Sequence, residues 1–154
     1  MNAEFVNPFI AGLMNVLETM AQTTLSPGKP KRKQDDVARG DVSGLIGMVG
    51  PSIKGSLSIT FDEALILNIM QNMLGESSNE IDAEVADMVG EITNMICGNA
   101  KRDLAEKGYE FGMATPVVVS GKNHSISHQV DGPKIILPFN HDLGKAYMEI
   151  CFDK

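Results

Sequence analysis

Apolar residues along the chain follow two rhythms. Phe5, Phe9, Leu13, Val16, Leu17 and Met20 recur at the spacing of one helical face, which predicts an amphipathic helix over about 3–22. Pro8 falls near its start, where a missing backbone N–H is tolerated. Further on the period drops to two. Leu57, Ile59 and Phe61 alternate with Ser58 and Thr60, and Gly50-Pro51 divides Val42–Val49 from Ile53–Ile59. Two adjacent strands with one buried side are expected. Asp62 stands where a second helix needs a cap, Leu65, Ile66, Ile69, Met70 and Met73 form its inner face, and Gly75 ends it. A third, longer helix is predicted from about Asp82 to Lys107, closed by Gly108.

Four extended runs follow: Pro116–Ser120, Ser125–Gln129, Lys134–Phe139 and Lys145–Phe152. Turn formers at Gly121-Lys122-Asn123, Asp131-Gly132 and Asn140–Gly144 separate them. Residues 24–40 carry turn formers and charges without a period and are expected to form a long loop, functional or mobile. Helices and strands are segregated along the chain. The expectation is one α+β domain over residues 1–154, a largely antiparallel sheet with two long helices and a shorter helix packed on it. No internal repeat is evident.

Composition narrows the function. The net charge of −7 and a pI near 4.9 argue against nucleic acid, whose phosphates call for Lys and Arg. The one basic cluster, Lys29 to Lys33, is followed at once by Asp35 and Asp36 and reads as a solvated loop. No apolar run has the length of a membrane span, and the N-terminus lacks the pattern of a signal peptide, so the cytoplasm is the expected compartment. Cys97 and Cys151 have apolar neighbours and read as buried. His124 and His128 lack a carboxylate or thiolate in register, so no metal is expected on this chain.

The third helix carries the strongest signal. On a helical wheel Asp87, Glu91, Asn94 and Gly98 fall on one narrow outward stripe, and Val85, Val89, Ile92 and Ile96 fall opposite, facing the core. A polar outward stripe can be solvated surface alone. Asn94 is a weak choice in a helix interior, however, and a mid-helix glycine at 98 costs about 1 kcal/mol relative to alanine. Such a glycine clears the surface for a partner. On chemistry alone, patch and solvated face stay open. If the stripe is catalytic, its role is limited. A carboxamide orients water but is too weak a base to deprotonate it, and orientation suits phosphoryl transfer, where positioning and charge stabilisation supply most of the catalysis.

The segment Asp87-Met-Val-Gly-Glu91-Ile-Thr-Asn94-Met-Ile-Cys-Gly98 resembles the active-site helix of the CheC/CheX/FliY phosphatase family of two-component chemotaxis signalling. Its motif is an Asp or Ser, three residues, a Glu, two residues and an Asn, with a proline some twenty residues on, here Pro116. Pro116–Gly121, Ala3–Phe9 and Val16–Met20 are also similar to the CheX branch, so the likeness spans nearly the whole chain. It implies a phosphatase of a phosphorylated CheY-type response regulator. Glu91 would contact a lysine of the regulator, and Asn94 would position water against its phosphoaspartate. Asp87 and Gly98 would lie in the partner contact. The regulator would supply the aspartate and Mg²⁺, with no cofactor on this chain. The resemblance also implies a homodimer built by joining sheets, and Val117-Val118-Val119 is a β-branched run suited to an edge contact.

Two alternatives remain at this level. One is a non-catalytic module of the same fold, as in FliM, that binds a phosphorylated regulator. The other is a structural homodimer whose exposed stripe is only solvated surface. Separately, Glu4-Phe-Val-Asn7 is a second Glu-x-x-Asn and a candidate second site. No Asp or Ser stands four residues before Glu4, and no Gly stands four after Asn7, so this segment reads as the first turn of helix one.

Overall fold

Alternation decides the sheet. In the computed structural model, which describes residues 3–51 and 53–153, the side chains of Leu57, Ile59 and Phe61 point into a core shared with the helices. The elements in chain order are α1 (Ala3–Ala21), β1 (Ser26–Pro27), β2 (Lys31–Lys33), β3 (Val42–Val49), β4 (Lys54–Phe61), α2 (Glu63–Leu74), α3 (Ala83–Glu106), β5 (Gly112–Met113), β6 (Val117–Ser120), β7 (Lys134–His141) and β8 (Gly144–Phe152). All strand pairs are antiparallel, in the order β1-β7-β8-β4-β3-β5, with β2 also on β7 and β6 also on β3. The α+β expectation holds, and the three helices fall within about two residues of their predicted limits.

Both outer positions of the sheet are filled by a strand in two pieces. This corrects the reading of 24–40 as a loop. β1 pairs Ser26 with Asn140, and β2 pairs Lys31 with Ile136 and Lys33 with Lys134. The pieces are too short to show a period, yet they satisfy backbone groups along the outer side of β7 that would otherwise form a bare edge. The arrangement of helix, split strand and hairpin also occurs twice, so a repeat exists that the sequence did not reveal. α1, β1/β2 and β3–β4 form the first copy; α3, β5/β6 and β7–β8 form the second. Each split strand borders the hairpin of the other copy. Lys33 lies opposite the first residue of β7, and Ser120 lies opposite the first residue of β3. The same interval in sequence separates Lys33 from Ser120 and Asn7 from Asn94.

The sheet face away from the helices is polar yet covered, which corrects the expectation of one buried side for β3 and β4. Lys33, Ser43, Ser56, Ser58, Thr60 and Glu149 are buried there beneath two crossing segments, 34–41 and 121–133. Ser125–Gln129 is therefore not a strand of the sheet. Its backbone bonds go to the other segment, from Ile126 N–H to Asp36 O at 2.7 Å and from Ala38 N–H to His124 O at 2.8 Å, with one bridge between Val37 and Ser125. His124 and Ile126 turn inward from this segment. Lys33 is not solvated either. Its Nζ meets Glu149 Oε2 at 2.7 Å, and His128 Nε2 lies 3.2 Å from Glu149 Oε1, with all three side chains at 0–1% exposure. Burial pushes the Glu149 carboxyl up, but hydrogen bonds from His128 and Lys33 outweigh it and hold the group below its ordinary value.

Candidate functional site

Three features fix α3. The Asp82 carboxylate accepts the Val85 backbone N–H at 3.1 Å and caps its first turn. Val85, Val89, Ile92 and Ile96 are fully buried, as the wheel predicts. Thr93 is buried too, its hydroxyl donating back to Val89 O at 2.7 Å. It presses on Gly44 of β3, where a Cβ would collide with the Thr93 side chain, so that glycine sets how closely the helix approaches the sheet.

With the inner face fixed, Asp87, Glu91 and Asn94 are exposed on the other side. The structure brings all three together with Gly90 along one wall of an open groove of about 420 Å³. Gly98 lies half-exposed farther along α3, beyond the groove lining, and nothing lies within 4 Å of a Cβ placed on it. The opposite wall is the break between β5 and β6: Ala114, Thr115 and Pro116, with Val118 beyond. Pro116 thus faces the stripe across the groove. Thr115 was missed in the sequence, and Val118 was read only as part of an edge run; proximity to Pro116 was the one pointer to both.

The far wall is itself pinned. Ala114 N–H donates to Gly47 O at 2.9 Å and Gly121 N–H to Asp41 O at 3.0 Å. His124 Nδ1 lies 2.7 Å from Gly121 O, and its Nε2 lies 2.7 Å from Ser43 Oγ. A carbonyl only accepts, so Nδ1 carries the proton. Both nitrogens of this histidine are committed to structure. Among the described residues no group of three or more His, Cys, Asp or Glu is placed to hold a metal. Cys97 is fully buried, and burial pushes its thiol up to about 12, which removes it as a nucleophile. Among the described residues no helix is long and apolar enough to cross a membrane.

On α1, Glu4 and Asn7 do not repeat the stripe. Tyr109 Oη donates to Glu4 Oε2 at 3.4 Å. Asn7 is exposed and borders a different groove, at the far edge of the sheet.

The groove beside α3 therefore offers two carboxylates and a carboxamide, with no nucleophile–base pair. Such a site can grip a cation and orient a water, and it needs its electrophile delivered by a partner. Fold and site define an α+β protein of the CheC-like kind. A CheC-like superfamily protein from Shewanella sp. PV-4 is 64% identical, with all of both chains covered and a TM-score of 0.94. The family model described as "Chemotaxis phosphatase CheX" matches residues 42–140. The chain belongs to the chemotaxis phosphatase CheX family. A curated relative, the CheY-P phosphatase CheX of Thermotoga maritima, is 27% identical over 127 residues, covering 82% of this chain and 81% of its own. A structure described as the CheX-CheY-BeF3-Mg complex of Borrelia burgdorferi is 28% identical, with 97% and 98% of the chains covered and a TM-score of 0.81.

Proposed function

We propose that this chain removes the phosphoryl group from a phosphorylated CheY-type response regulator by presenting the α3 stripe to the regulator's active site. The observation that carries this reading is the exposed alignment of Asp87, Glu91 and Asn94 in an open groove without a nucleophile of its own. The names of the Thermotoga and Borrelia relatives, a CheY-P phosphatase and a complex with CheY, support it.

Each residue has a role set by its chemistry. The Glu91 carboxylate pairs with a lysine of the regulator and aligns the two proteins. The Asn94 carboxamide oxygen accepts a hydrogen from a water and holds it in line with the phosphorus. Water attacks as the bond from phosphorus to the aspartyl oxygen breaks, giving phosphate and a free carboxylate on the regulator. Mg²⁺ bound by the regulator would neutralise charge on the phosphoryl oxygens. Asp87 extends the acidic contact, and Gly98 keeps the helix surface low where the regulator's backbone approaches.

Residues 1–154 form a single domain in this reading, acting in the cytoplasm as a homodimer through sheet edges. The Val117–Val119 run meets β3 on one side, so only its outer edge is open to a second copy. Sedimentation at micromolar concentration checks this part: a monomer of 16.6 kDa refutes it. The function is tested by a dephosphorylation time course on candidate phosphorylated regulators with the native chain and Asn94→Ala. The native chain should shorten the phosphoryl lifetime, and the variant should bind without doing so. Binding without turnover by the native chain would favour the non-catalytic module.

A further inference from the structure

The other outer edge of the sheet carries a second groove, of about 550 Å³, between the first turns of α1 and the split strand β1/β2. It occupies the place in the first copy that the α3 groove occupies in the second. The interval that relates Asn7 to Asn94 also relates Ala3 to Gly90 and Lys31 to Val118, and each of these residues lines its own groove. The chemistry is inverted. Val6, Ile10, Pro27, Pro30, Ile135 and Leu137 make the lining apolar. Lys31 and Arg32 border it with exposed side chains, and Lys29 lies next to them in sequence.

Among the described residues these cations are clustered beside the groove and unpaired. The nearby acids are already committed. Asp35 holds Arg39 at 2.8 Å, Asp36 holds Lys134 at 2.6 Å, and Glu149 holds Lys33 at 2.7 Å. Among the described residues Lys29, Lys31 and Arg32 enter no ion pair. In a chain of net charge −7, an apolar groove rimmed by uncommitted cations is a local exception. Charge complementarity selects an occupant that is both acidic and apolar-anchored.

We propose that the α1 groove binds an acidic peptide segment of a partner protein. Its apolar side chains lie over Val6, Ile10 and Ile135, and its carboxylates meet Lys31 and Arg32. The segment docks at the edge of the sheet opposite the α3 groove, so both grooves can be filled at once.

The test selects displayed random short peptides on the immobilised full chain and measures fluorescent copies of the winners. The expected winners combine Asp or Glu with Leu, Ile or Phe, and their binding weakens as salt is added. They should bind Lys31→Glu/Arg32→Glu roughly tenfold more weakly and bind Asn94→Ala as they bind the native chain. The double variant should dephosphorylate the regulator at the native rate and melt at the native temperature. If the reversal lowers the melting temperature, Lys31→Gln/Arg32→Gln is read in its place. Non-acidic winners, or binding that survives loss of the two cations, would overturn the proposal. So would a native dimer that the double variant converts to monomer, because a second copy would then be the occupant.

Discussion

The two outer edges of one sheet make a natural experiment. Each is a strand in two pieces, each backs onto a helix, and each leaves a groove between helix and strand with an asparagine at the same place, Asn94 in one and Asn7 in the other. At the α3 edge the asparagine has Glu91 and Asp87 beside it on an open polar stripe. At the α1 edge Glu4 engages Tyr109, the lining is apolar and the rim is basic. The backbone plan is shared and the chemistry is not. Fold alone therefore assigns no activity to either edge; the side chains in each groove do.

The sharpest test of this contrast concerns how each edge is held. The β2 edge rests on a buried charge, whereas its counterpart Ser120 is exposed. Lys33→Met leaves Glu149 buried without its cation and should cost about 3–5 kcal/mol in urea unfolding, against about 0.5 kcal/mol or less for Ser120→Ala. Equal costs would mean that the buried pair does not hold the edge. The same pair sets an acid limit. Because the folded Glu149 carboxyl lies below its ordinary value of 4.5, its contribution is full above that value and is lost as pH falls through the depressed one. Unfolding midpoints should hold at neutral pH and decline below the ordinary value, and Lys33→Met should flatten that decline.

Next in size is catalysis. Asn94→Ala should slow regulator dephosphorylation by about a hundredfold or more with binding retained, while Asn7→Ala leaves the rate unchanged. Equal losses from the two would erase the functional difference between the grooves. Glu91→Ala should act mainly on KM, raising it roughly tenfold, and added salt should narrow the gap from the native chain. The smallest effect is on α3 itself. Gly98→Ala has open space for its methyl group and should stabilise the chain by up to about 1 kcal/mol. It makes α3 match α1, where Ala11 holds the equivalent place. Gly98→Leu should keep the melting temperature and block the regulator; normal turnover would remove the glycine from the contact.

What the sequence made legible follows from range. The helices, the β3–β4 pair and the α3 stripe are written in local periodicity, so the apolar spacing of α3 alone placed Asp87, Glu91 and Asn94 outward. The β1 and β2 strands are too short for a period and exist because β7, about a hundred residues on, presents an edge. Lys33 read as solvated because its partner Glu149 is equally remote. The Ser125–Gln129 run shows the reverse error: an extended segment bounded by turn formers that packs across the back of the sheet without joining it. The repeat stayed hidden because its two copies share geometry and few residues, and the opposite groove wall at Thr115 and Val118 carries no signal of its own.

The crossing of split strands between the two copies also sets an order of events as the chain emerges from the ribosome. The β3–β4 hairpin can close early, since its partners are adjacent. The β1/β2 segment cannot: among the described residues its only partner strand is β7, residues 134–141. Until then the basic segment behind α1 has no strand to pair with, and β8, which follows β7, must slip between β7 and β4 at the centre of the sheet. Pairing at such long range is slow to form. The nascent chain is therefore at its most aggregation-prone while β8 is still unmade and the middle of its sheet is missing.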